Sequence, residues 1–86
     1  MYELLAEECV ELAHASLKMA RILRGENPTP MSKHLVEVMI KEEVTDVNMC
    51  LKDLEIYPDK EIEEFKKDRF EYRIEDMKRR KKNAGH

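Results

Sequence analysis

The chain has 86 residues, 42% hydrophobic and 41% charged, with two Gly, three Pro and no Trp. That makes one domain at most, too apolar for a disordered segment and too small for helices of this size to bury a self-sufficient core, so self-association is expected. A net charge of −3 offers no global attraction to nucleic acid or acidic membranes, and with no signal peptide and no apolar run of bilayer length the sequence reads as cytoplasmic, without a membrane partner.

The first predicted helix runs from about Tyr2 to Arg24 and is stopped by Gly25 and the Asn27-Pro28-Thr29-Pro30 stretch. At roughly 100° per residue, Glu8 falls inside the apolar arc with Leu4, Ala15, Met19 and Ile22, and Glu11 lies at its rim. Lys18 stands at the edge of the same helix, where a surface role suits it equally.

The second helix is expected from the N-cap Ser32 to about Glu55. It repeats the anomaly: Glu43 is flanked by Val36, Cys50 and Leu54, and Asp46 by Leu35 and Met39, while Glu37, Lys41, Asn48, Lys52 and Glu55 form the polar face. Each acidic pair is three residues apart, so its members share one helix face. A charged carboxylate on an apolar face has to be protonated, paired with a cation or bound to metal, and four together favour metal. Cys9 and Cys50 lack a Cys-x-x-Cys spacing or clustered His, and read as reduced core residues.

Pro58-Asp59 marks a reversal into the third helix, about Asp59 to Arg80. Its apolar arc, Ile62, Phe65, Phe70, Tyr72, Ile74 and Met77, also contains Lys66, Arg69, Arg73 and Arg80. Lys66, Arg69 and Arg73 follow i, i+3, i+7 spacing, a stack able to hold phosphate oxygens. Acids on two inward faces and bases on a third suggest a metal–triphosphate clamp; the bland alternative is an internal ion-pair network, usually no more stabilising than an apolar core. The expected organisation is an all-α chain of three main helices, with residues 1–80 a single helical domain that assembles into an oligomeric bundle and residues 81–86 a frayed basic tail.

These residues resemble a known family. The run Glu7-Glu8-Cys9-Val10-Glu11 and the later Glu42-Glu43-Val44-Thr45-Asp46-Val47 look like the acidic signatures of the MazG-like all-α nucleoside triphosphate pyrophosphohydrolases, in particular the small phage-type and bacterial members. Lys18, Arg21, the Asn27-Pro28-Thr29 loop and Lys66-x-x-Arg69-x-x-x-Arg73 are also similar, so the likeness spans Leu4 to about Arg73. It implies hydrolysis between the α and β phosphates of a nucleoside triphosphate, giving a nucleoside monophosphate and pyrophosphate. Carried over, Glu8, Glu11, Glu43 and Asp46 are the catalytic Mg²⁺ ligands, with Mn²⁺ a possible substitute, and Lys66, Arg69, Arg73 and, more weakly, Lys18 bind the phosphates. Hard Mg²⁺ prefers such oxygen ligands. The expected assembly is a homodimer or homotetramer.

Base recognition is not assigned by any residue. The family usually carries a further segment ahead of the acidic motif that helps to build the base-binding side, and Tyr2, Tyr57 and Tyr72 suit packing as well as stacking. A P-loop and a Nudix-type signature are missing. Two other readings rank lower. Glu11-Leu12-Ala13-His14 has the Glu-x-x-His spacing of di-iron bundles, but the second copy is absent because Glu43 is followed by Asp46. A non-catalytic interaction module could use Lys78, Arg79, Arg80, Lys81 and Lys82 to touch RNA or an acidic partner, although a basic helix C-terminus ordinarily just complements the helix dipole.

Overall fold

The computed structural model describes residues 1–26 and 31–84, and these form three helices with no strand among them: α1 (Tyr2–Leu23), α2 (Lys33–Asp53) and α3 (Lys60–Ala84). The Asn27-Pro28-Thr29-Pro30 stretch and residues 85–86 of the expected tail lie outside the described residues. No helix is long and apolar enough to cross a membrane among the described residues.

Helix ends follow side-chain chemistry. Ser32 Oγ accepts a hydrogen bond from the Leu35 N–H (3.1 Å), and Asp59 Oδ1 accepts one from the Ile62 N–H (3.0 Å), so each cap satisfies an otherwise orphaned donor. α1 and α2 both close with paired bonds around a left-handed residue. Gly25 (φ 71°) donates to Ile22 O while Glu26 donates to Arg21 O; Glu55 (φ 57°) donates to Lys52 O while Ile56 donates to Leu51 O. The same turn is therefore built once with the residue it favours and once with a glutamate. Glu55→Gly should raise urea-unfolding stability by about 0.5–1 kcal/mol, and Gly25→Ala should lower it by about 1 kcal/mol. The Gly25 penalty is one of backbone alone, since an added Cβ meets no atom within 4 Å. An unchanged midpoint in both variants would show that neither turn is formed.

α1 and α2 pair as an antiparallel hairpin, because Met1 and Leu4 line the same depression as Met49, Cys50 and Asp53. The α1 seam is Leu5, Glu8, Leu12, Ala15, Met19 and Ile22; the α2 seam includes Val36, Met39, Ile40, Glu43, Val47, Cys50 and Leu54. Three- and four-residue steps keep each set on one stripe. Ala15, Val36 and Cys50 are its buried centre. Cys50 is thus a core residue as expected, but Cys9 is exposed. One residue past Glu8, its side chain is rotated about 100° off the seam.

α3 departs most from expectation. It runs on to Ala84 rather than ending near Arg80, with Lys81 and Lys82 in its last turn, where cations suit the negative end of the helix dipole. No described residue of α3 has its Cα within 8 Å of one in α1 or α2. Its arc of Ile62, Phe65, Phe70, Tyr72 and Met77 is exposed rather than packed inward. The radius of gyration, 16.1 Å, far exceeds the roughly 12 Å of a compact chain of this length. The three helices do not close a bundle within one chain.

Candidate metal centre

Two anomalies in the hairpin seam create the site. Glu8 and Glu43 occupy half-buried seam positions where the stripe otherwise carries aliphatic side chains, and antiparallel pairing brings them together. Asp46, one turn beyond Glu43, reaches the same place from the exposed edge. One carboxylate oxygen from each of the three lies within 4.8 Å of those of the other two. Glu8 Oε2 and Glu43 Oε2 are shut off from solvent without a hydrogen-bond partner.

The electrostatics follow from that crowding. Burial pushes the Glu43 carboxyl up to about 7, helped by the neighbouring Glu11 carboxylate and then by the charges of Glu8 and Asp46. Glu8 is also raised, first by burial and then by the charges of Glu11 and Asp46. Like charges in a partly dry cleft disfavour simultaneous ionisation. No cation answers them: among the described residues the ion pairs are Arg24–Glu26 and Arg80–Asp76, both elsewhere.

The donor set fits a hard divalent ion. Three carboxylate oxygens within 4.8 Å of one another would suit a small ion that prefers oxygen ligands. The nearest soft donor is Cys50, which shares the depression with Glu8 and Asp46. Its thiol is pushed up by burial and then by the charges of Glu8 and Asp46, which keeps it protonated and unsuited to metal. Oxygen ligands without a thiolate suit Mg²⁺ or Mn²⁺ better than Zn²⁺.

The other predicted site residues are distributed unevenly. Glu11 is exposed and is not one of the three mutually close carboxylates, but it adjoins Glu43, whose carboxyl it helps to push up. Lys18, Lys66, Arg69 and Arg73 are exposed. The inward placement expected for the last three does not hold within one chain: they share a groove with Phe70 on α3, and α3 touches neither acidic helix. His14 and His34 are exposed, as are Tyr2, Tyr57 and Tyr72. Met49 and Asp53, which line the depression beside the acids, escaped the sequence reading. Their signal was spacing, since Asp53 follows Asp46 by seven residues, two turns along the same face.

The chain matches no protein-family model, no curated protein and no solved structure.

Proposed function

We propose that this chain is a Mg²⁺-dependent nucleoside triphosphate pyrophosphohydrolase, with Mn²⁺ able to substitute, that cleaves the α–β phosphate bond and works as a homodimer or homotetramer. The observation that carries the reading is the convergence of Glu8, Glu43 and Asp46 with two buried oxygens left unpartnered. A small helical hairpin gains nothing in stability from such a cluster, so a ligand that neutralises it gives it a purpose. The likeness of both acidic runs and the α3 cations to MazG-like enzymes supports the same reaction.

In this reading Glu8, Glu43 and Asp46 hold the metal and Glu11 adds negative field at its rim. A bound divalent ion would polarise a phosphate and lower the pKa of an attacking water. Lys66, Arg69 and Arg73 bind phosphate oxygens as the bond breaks, because positioning and charge stabilisation are most of what phosphoryl transfer asks of a protein. Lys18 is a secondary phosphate contact.

The test is pyrophosphate release from a panel of purine and pyrimidine ribo- and deoxynucleoside triphosphates, with Mg²⁺, with Mn²⁺ and with chelator. Release of pyrophosphate and monophosphate in equal amounts, abolished by chelator, is expected. Release of orthophosphate alone, or none across the panel, would overturn the reading.

A further inference from the structure

We infer that α3 does not serve its own hairpin but docks on the acidic face of a second copy, placing Lys66, Arg69 and Arg73 of one chain beside Glu8, Glu43 and Asp46 of another. The phosphate-binding role of those cations rests on the function proposed above; the docking does not.

The first argument is the connector. After α2, the N–H groups of Leu54, Glu55 and Ile56 are bonded back to Cys50, Lys52 and Leu51, and before α3 the Asp59 side chain and carbonyl are bonded forward to Ile62 and Glu63. Only Tyr57 and Pro58 remain between the two closures. Pro58 fixes its own φ and restricts Tyr57 to extended conformations. The connector is short and stiff, and α3, about 37 Å long at 25 residues, stands clear of the hairpin that precedes it.

The second argument is charge. α1 carries four acids against two bases and α2 five against three, so the hairpin is net −4; α3 carries ten bases against seven acids and is net +3. The surfaces match in detail as well. On the hairpin, Glu8 and Asp46 share a depression with the apolar Leu4 and Met49; on α3, Lys66, Arg69 and Arg73 share a groove with Phe70. Each face offers grease and charge, with signs reversed.

The third argument is area. The chain exposes 7787 Å², whereas a compact monomer of this mass exposes about 5,400 Å². The excess, roughly 2,400 Å² per chain, falls in the range that an obligate dimer buries when both partners contribute it. A second copy is the partner that supplies both complementary faces at once, in a reciprocal two-fold arrangement.

The decisive experiment co-refolds full-length chains of natural and ¹⁵N isotopic composition, then joins lysines to touching carboxylates with a zero-length carbodiimide. Crosslinked peptides joining Lys66 or Lys67 to the Glu7–Glu11 or Glu42–Asp46 segments should carry one light and one heavy partner at the statistical share, and the chain should sediment as a dimer or larger. The triple variant K66E/R69E/R73E should retain helical circular dichroism but shift toward monomer and lose those crosslinks. A monomer at tens of micromolar, or crosslinks of single isotopic composition only, overturns the inference. Neither readout needs turnover, so this inference and the enzymatic one can fail separately. With an active enzyme, mixing E43Q with K66A/R69A/R73A should recover activity that neither variant has; no recovery would place acids and bases in the same chain.

Discussion

Replacing Glu43 by Gln is expected to lower Mg²⁺-dependent pyrophosphate release by about 10³-fold or more, with the helical circular dichroism of the protein unchanged. The amide keeps the shape of the side chain and removes its charge at a half-buried seam position shared with Glu8 and Asp46. Because the hairpin is held by the apolar seam around Ala15, Val36 and Cys50, the loss would be one of chemistry rather than folding. Glu11→Gln should cost less, about 10-fold, since Glu11 is an exposed neighbour of Glu43 and not one of the three mutually close carboxylates. Full activity in E43Q would remove this residue from the site, and equal losses in both variants would show that Glu11 is a ligand after all.

The second large effect is on stability, and its sign is unusual for a carboxylate. The folded Glu43 carboxyl titrates at about 7 against an ordinary value of 4.5. Between those two values the native state binds more protons than the unfolded chain, so stability falls as pH rises. The contribution is fully present below about pH 4.5 and is lost as pH climbs through about 7. The metal-free protein should therefore melt at a higher temperature at pH 5.5 than at pH 8, and E43Q should flatten the slope between them. Glu8, raised for the same first reason, titrates in the same direction.

A divalent ion reverses this dependence, because metal binding needs the carboxylates deprotonated. At pH 8 an excess of Mg²⁺ a hundredfold above its dissociation constant should stabilise the fold by about 2.7 kcal/mol, and at pH 5.5 by much less. In E43Q the gain should largely vanish. Differential scanning calorimetry over a pH series, with Mg²⁺ and with chelator, reads all three effects. A melting temperature indifferent to Mg²⁺ at pH 8, with and without nucleoside triphosphate, would remove the metal centre and with it the proposed reaction.

The helices α1 and α2, and the acidic positions on their apolar stripes, were legible in the sequence because their signals are local. Ser32 and Asp59 read as helix starts for the reason they cap them, a short oxygen side chain that can reach a free N–H. Glu8 and Glu43 stood out because the helical repeat sets them among Leu, Ala, Val and Met. Glu55 was less legible. A glutamate at φ 57° gives no compositional sign of a helix end, so the expected end of α2 ran to the residue that reverses it.

By itself, then, the amino-acid order determined the helices, most of their ends and that Glu8 and Glu43 lie on apolar stripes, since periodicity and capping act over a few residues. Only the tertiary structure decided that Glu8, Glu43 and Asp46 converge with Glu11 exposed beside them, that Cys50 is buried and Cys9 is not, and that α3 stands apart from the hairpin. Those outcomes depend on the register of two antiparallel seams and on the backbone path through Glu55, Tyr57 and Pro58. An arc of apolar side chains states that a helix needs a partner, but its periodicity is the same whether that partner lies in its own chain or in another.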